Sequence, residues 1–378
     1  MLKICNPLET VALLSGSNIL DIDTNQSSRY CIKLNSVGGK EAYYFTTPIY
    51  NTHSRKLVRR KFFEDHGVYR FVGSNCEVSV TSEQIKLIRE SQICVLNFNN
   101  DFHWVLRDGV LISDRISIIP TYNGICIYGD ILQMSLDVSV DFDYQKIRCH
   151  QSCISFMESQ FTPVLVVSGL LAQSSTNECI PLRVKYYERS PKEGVLSFAS
   201  NQSTYNQCAF EMNFYEPKLI QDTPVSGNFP NENNAFGPIA FVGKGDYYGT
   251  QWLYSRLDIS KIQELQGKPI REIKLYIPRF TKETTPLHIF ELLNRFCSFG
   301  STWSKKVDKG SHYDPIKFNG DYACIDLTRN YTGRGLIRQS SGVVITPANT
   351  GLGYQVISTG DSYVLPPILC VKYANIQN

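Results

Sequence analysis

Helical periodicity is nearly absent from this chain, which is instead a long succession of short apolar runs cut by turn residues. Leu132, Met134, Leu136, Val138, Val140 and Phe142 occupy alternate positions, the period-two pattern of a strand with one buried face. Asp108-Gly109 separates Trp104-Val105-Leu106 from Val110-Leu111-Ile112, and such a dipeptide supplies the two left-handed residues of a tight hairpin turn. Asn123-Gly124 stands in the same way before Ile125-Cys126-Ile127. Pro163 to Val167 reads as a buried strand, and Leu182, Val184 and Tyr186 pair with Val195 and Phe198 across the Ser190 to Gly194 turn. Two stretches admit a helix. In Ser82 to Ser91 the Ile85/Leu87 alternation argues equally for a strand, while Ile259 to Leu265 has Asp258 or Ser260 as its cap.

Composition agrees with a β-rich chain. Charged residues are 19% of the total, and there are 22 Tyr and 20 Phe, side chains that suit a pleated, half-buried surface. A length of 378 residues accommodates two domains, each with its own core. The net charge of +3 is too small to imply a nucleic-acid partner, and the basic run Arg55 to Lys61 reads as a solvated strand or hairpin face. Twelve cysteines include no Cys-x-x-Cys pair; Cys149 and Cys153, with His150 between them, are the closest, and a zinc site there needs two further ligands. Cys94, Cys126, Cys324 and Cys370 lie in apolar runs, the setting of buried, reduced thiols.

A domain boundary is expected near Tyr215-Glu216-Pro217, with an N-terminal β-sandwich region at residues 1–215. Beyond it, the turn-rich Asp222 to Gly237 segment leads into about eight short strands, ending at Ile368 to Tyr373. That is the strand count of a jelly roll, so the expected fold is all-β throughout.

An ordered series of blocks in residues 216–378 resembles the DNRLRE-type module, a β-sandwich akin to some carbohydrate-binding modules and disaggregatase-related domains. The blocks begin with Gln221-Asp222-Thr223-Pro224-Val225, Asn233-Asn234-Ala235-Phe236-Gly237 and Phe241-Val242-Gly243. They continue with Trp252 to Ser260, Ile270 to Ile277, Thr302-Trp303-Ser304 and Ile325-Asp326-Leu327-Thr328, and close with Gly342 to Ile345 and Pro367 to Tyr373. The resemblance implies a jelly roll attached to extracellular proteins that binds polysaccharide or neighbouring subunits. Met1 to Pro7 is not a charged leader and Thr10 to Leu14 is too short for an apolar signal core; no run has the length of a membrane span. The expectation is therefore a protein made without a signal peptide and carried in a virion, phage-like particle, or spore or cell-surface assembly.

Asp222, Asn231, Asn233 and Asn234 gather oxygen donors on a turn, the chemistry of a calcium site; the same residues build turns through bonds to backbone. Trp252, Tyr254, Trp303, Tyr354 and Tyr363 have ring faces that suit pyranose C–H groups; aromatics in strands, Trp252 and Trp303 above all, read as core, and Tyr354 and Tyr363 in their Gly/Ser-rich loops are the better ligand candidates. Asp137, Asp141 and Asp143 share one face of a strand, where paired carboxylates can perform glycosidic acid–base work, although the alternation assigns them to solvent. The histidines at 53, 66, 103, 150, 288 and 312 fall in unrelated segments, with His103 and His288 read as sheet positions. No Gly-x-Ser-x-Gly, phosphate loop or His-Glu-x-x-His motif occurs, and Gly243-Lys244-Gly245 reads as a hairpin turn. The chain is thus expected to be a non-catalytic binding and assembly protein engaging glycan or neighbouring subunits. The alternatives are a glycan-degrading enzyme with N-terminal carboxylates, and a purely structural subunit.

Overall fold

The structure is a computed structural model that describes residues 6–374, apart from 18, 26, 38, 52–53, 55, 133, 174–178, 201–206, 282–284, 313–315 and 349–350. Met1 to Cys5, His53 and Arg55 therefore lie outside the described residues. The fold is all-β, built of antiparallel sheets. The chain divides into two compact units, one made of Met1–Ile49 with Pro217–Asn378 and the other of Tyr50–Glu216.

The first unit is a two-sheet sandwich. One sheet runs Cys31–Ser36, Gly39–Phe45, Ile368–Tyr373, Ile270–Pro278, Tyr322–Asp326, Lys317–Asn319. The other runs Lys309–His312, Leu287–Leu292, Val343–Pro347, Gly249–Leu257, Ile239–Gly245, Gly353–Ser358, with Ile220–Ser226 also bonded to Gly249–Leu257. Alternate side chains of both sheets meet in one core, Ala42, Ile273, Leu275, Ile325 and Leu369 from the first and Leu253, Leu287, Ile289, Val343 and Ile345 from the second. Eight of these strands follow the jelly-roll order. Gly39–Phe45, Ile368–Tyr373, Ile270–Pro278 and Tyr322–Asp326 are neighbours in one sheet; Gly249–Leu257, Val343–Pro347, Leu287–Leu292 and Lys309–His312 are neighbours in the other.

The first of those eight strands comes from the N-terminal segment, which the sequence reading had grouped with residues 50–215. Gly39–Phe45 pairs with Ile368–Tyr373 from Lys40 opposite Tyr373 to Phe45 opposite Ile368, and Ala42 and Tyr44 enter the core. A pairing between the two ends of the chain has no local signature, whereas hairpins do. The Tyr50–Glu216 unit is thus an insertion between the first and second jelly-roll strands.

That inserted unit is itself a sandwich of an eight-stranded and a nine-stranded sheet. Its sheets meet through Cys94 and Met212, whose sulfurs are 3.8 Å apart, and through Phe198 stacked on Phe210 at 4.4 Å. The Asp108-Gly109 turn has φ of 54° and 84°, joining Val105–Arg107 to Val110–Ile112. The Leu136 to Val140 alternation is realised in Ser135–Asp141, buried at every second residue.

Two open local readings resolve and two others change. Gln84–Arg89 is a strand, and Ile259–Leu265 is a 3₁₀ helix capped by Asp258, which accepts from the Ser260 N–H. Gly243-Lys244-Gly245 lies inside the Ile239–Gly245 strand; Gly243 has φ 153°, and a side chain there would collide with the Gly353 carbonyl. The stretch from Lys56 to Phe62 is irregular rather than a strand face, because Arg60 is buried with its guanidinium 4.8 Å from the Tyr122 ring centre. A helix the reading lacked, Pro7–Ser15, is capped by Asn6 and ended by left-handed Gly16.

Candidate functional site

The second sheet of the jelly-roll unit has two covered faces. Leu253, Ile289 and Ile345 point into the main core, while Tyr254, Val344 and Leu292 form a smaller apolar cluster with Val225 and Phe296. Trp252, Phe290, Trp303 and Val307 pack partly buried against that cluster. The chain between Leu292 and Lys309 covers this face, held by Tyr254 Oη donating to the Val307 carbonyl at 3.4 Å. The short turn Trp303–Lys305 is capped by Thr302 Oγ1, which accepts from the Lys305 N–H, and the Ser304 N–H donates to the Pro230 carbonyl at 2.8 Å. These bonds fix the Trp303 ring beside the sheet.

At the margin of the cluster the rings form two groups bridged by Lys309. The Trp252 and Trp303 centroids are 5.1 Å apart. Beyond them Phe290 lies 5.0 Å from His312, and His312 lies 4.6 Å from His288. Two exposed lysines sit on this surface. Lys306 Nζ is 3.8 Å from the Trp303 ring centre and 4.9 Å from that of Trp252. Lys309 Nζ is 4.0 Å from Trp252 and 4.6 Å from Phe290. Contacts this short are strong cation–π geometry. Burial against the rings, helped by the Lys306 charge, lowers the pKa of Lys309; burial, His312 and Lys309 lower that of His288. The arrangement sets flat aromatic faces together with ammonium groups at the surface of the sheet.

The structure brings Trp252 and Trp303 together and adds Phe290, His288, His312, Lys306 and Lys309, which the sequence reading did not assemble. Alternation in His288-Ile289-Phe290 placed two of these rings on one face, but the lysines come from the covering segment and left no pattern. Tyr254 is fully buried in the small cluster. Tyr354 lies in the Gly353–Ser358 strand rather than a loop. Its hydroxyl accepts from the Tyr248 N–H at 3.1 Å and donates to the Gly249 carbonyl at 3.0 Å, while its ring packs edge-on against Phe241. Tyr363 does occupy a loop, yet it is 3% exposed, with Lys218 Nζ 3.2 Å from the ring centre. Its ring is therefore a core element, because the loop folds inward instead of standing in solvent.

Of the four residues proposed for calcium, Asn233 and Asp222 each spend an oxygen on a backbone N–H. Asn233 donates to the carbonyls of Ser298 and Ser301 at 2.6 and 2.7 Å, and accepts from the Ala235 N–H. Asn234 contacts the Pro224 carbonyl, and Asn231 is exposed. Asp222 is buried and accepts from the Gly360 N–H at 2.6 Å. Burial, with the Asp361 charge nearby, pushes its pKa up to about 7 against the opposing bonds from Ser255 and Gly360. Among the described residues no group of three or more His, Cys, Asp or Glu side chains is placed to hold a metal ion. The eleven described cysteines form no disulfide.

In the inserted unit, Asp137 pairs with Arg189 at 3.0 Å and Asp143 with Lys192 at 3.1 Å, both at the surface. Among the described residues no helix is long and apolar enough to cross a membrane. The chain is thus a protein of two β-sandwich units, one of them a jelly roll with a second sandwich inserted. No protein-family model matches it, and no curated protein does either.

Proposed function

We propose that this chain is a non-catalytic binding protein of an extracellular particle or surface, whose jelly-roll unit engages glycan through the Trp252–Trp303 surface. The observation that carries this reading is the row of part-exposed rings, Trp303, Trp252, Phe290, His312 and His288, with Lys306 and Lys309 seated on it. Indole faces match the apolar faces of pyranose rings, and ammonium groups donate hydrogen bonds to hydroxyls or acids at the ring edges. The rings are held from below by the small apolar cluster, so little order has to be gained on binding. An assembly role fits the same unit, because its Lys317–Asn319 strand ends its sheet and an edge of this kind pairs with other chains unless covered.

Affinity electrophoresis through gels carrying single polysaccharides tests the reading. At least one polysaccharide retards the wild-type protein, and Trp252→Ala and Trp303→Ala each weaken that retardation about tenfold or more while thermal melting stays cooperative. Equal retardation of wild type and both variants sinks the assignment of the site. Release of reducing ends from any retarding polysaccharide favours the glycan-degrading alternative.

A further inference from the structure

Lys306 and Lys309 approach the same Trp252 ring, at 4.9 and 4.0 Å. Two like charges that share an aromatic floor repel one another, and a carboxylate bridging them would be the usual relief. None is present: no described acidic side chain lies within ion-pair distance of either lysine. The nearest acid in sequence, Asp308, pairs with neither of its neighbours. His288 and His312 stand at the other end of the ring row. The site therefore joins apolar faces to uncompensated positive charge.

The row also leads into a cavity. His312 lines a space of about 520 Å³ whose wall includes Ile289, Ile316 and Ile325, with Lys274, Lys317 and Arg329 as cations and Asp326 as the acid. Lys274 is already bonded to Glu272 at 2.5 Å, and Lys317 is the cation of this wall beside His312 that the anion would meet. An apolar wall with a few placed charges, in the usual size range for ligand sites, is what a small organic anion requires.

We infer that the glycan recognised here is acidic: a polysaccharide whose sugar rings lie along the Trp252, Trp303 and Phe290 surface while its anionic groups meet Lys306 and Lys309 above those rings, the chain continuing past His312 toward Lys317. This rests on the glycan reading of the same surface and adds the ligand's charge and the cavity. Carboxylated and sulfated sugars share the relevant chemistry. A neutral chain would leave the two ammonium groups facing each other without a counter-charge.

The test uses the full chain and four probes in matched gels: polygalacturonate, the same polymer fully methyl-esterified, dextran sulfate, and single-stranded polynucleotide. The expected result is retardation by polygalacturonate that falls about tenfold or more on esterification and in the Lys306→Gln/Lys309→Gln double variant. Lys317→Gln gives a smaller loss, and both variants melt within a degree or two of wild type. Retardation by dextran sulfate as well, lost in Trp252→Ala, supports the proposal and widens the anion to sulfate. Equal retardation by the esterified and free polymers overturns it while leaving the glycan reading standing. Retardation by polynucleotide and dextran sulfate that Trp252→Ala leaves unchanged also overturns it, since that is attraction to any polyanion. No retardation by any saccharide removes the glycan reading itself.

Discussion

Asp222→Asn is expected to make the jelly-roll unit more stable at alkaline pH and to leave it nearly unchanged at acid pH. Asp222 is 5% exposed and its Oδ2 accepts from the Gly360 N–H. Burial is the main reason its pKa rises from 3.8 to about 7, with Ser255 and Gly360 opposing and Asp361 adding to the rise. Asp361 is itself pushed up to about 6, chiefly by burial, against the stabilising charge of Lys218. Because the folded pKa lies above the unfolded one, the native state retains a proton that the unfolded chain gives up between about pH 4 and 7. Stability is therefore complete below pH 4 and declines as pH rises through 7. At about 1.4 kcal/mol per pH unit, Asp222 alone accounts for an upper limit of about 4 kcal/mol. Asparagine keeps an oxygen for Gly360 and never ionises, so it removes that decline. The assay is urea unfolding at fixed ionic strength from pH 4.5 to 8.5, followed by tryptophan fluorescence. Trp104 is the one tryptophan of the inserted unit, so a Trp104→Phe background confines the signal to Trp252 and Trp303. The stability difference between variant and parent should grow by roughly 2–4 kcal/mol across the range. A difference that stays flat, or that favours aspartate as pH rises, refutes the argument.

Asn233→Ala should cost about 1–3 kcal/mol, because it leaves the Ser298 and Ser301 carbonyls without their donor. Melting with calcium and with chelator should show the same loss in both; a wild-type rise with calcium that the variant lacks would instead establish the cation site. Gly109→Ala should destabilise the inserted unit by about 1–2 kcal/mol, since φ is 84° and the new methyl would meet the Lys61 side chain; Trp104 fluorescence reports it. Alkylation followed by peptide mapping should label exposed Cys149 and Cys297 in the folded protein. Buried Cys94, whose thiol is pushed up to about 12 by burial, should react only after denaturant is added.

Local chemistry was legible in the sequence. Asp108-Gly109 specified its own turn, Asp258 its helix start, and the Leu136, Val138, Val140 alternation its buried face, because each depends on residues that touch along the chain. Trp252 and Trp303 were legible as rings by residue type, although their positions read first as core. Their setting was not. Lys306 and Lys309 reach Trp252 only because the segment after Leu292 folds back over the sheet, and nothing in Ser304-Lys305-Lys306-Val307 announces that. Tyr363 misled because a loop rich in Gly and Ser ordinarily stands in solvent, whereas here Lys218 covers the ring. The membership of Gly39–Phe45 was illegible for a further reason: hydrogen bonds to Ile368–Tyr373 carry no trace in either segment's composition.

The pairing of Gly39–Phe45 with Ile368–Tyr373 also sets an order of events on the ribosome. The Cys31–Ser36 and Gly39–Phe45 hairpin has an open edge on its second strand until Ile368–Tyr373 is made, and that strand is translated only after the whole inserted unit. The inserted sandwich has all its strands available well before then, and domains of its size generally fold as units during synthesis. Throughout elongation the early hairpin therefore waits with unsatisfied backbone groups, a template for pairing with another nascent chain. Premature termination before Ile368 would leave that hairpin permanently unpartnered, so products truncated there should aggregate through the Gly39–Phe45 edge even when the inserted sandwich is intact.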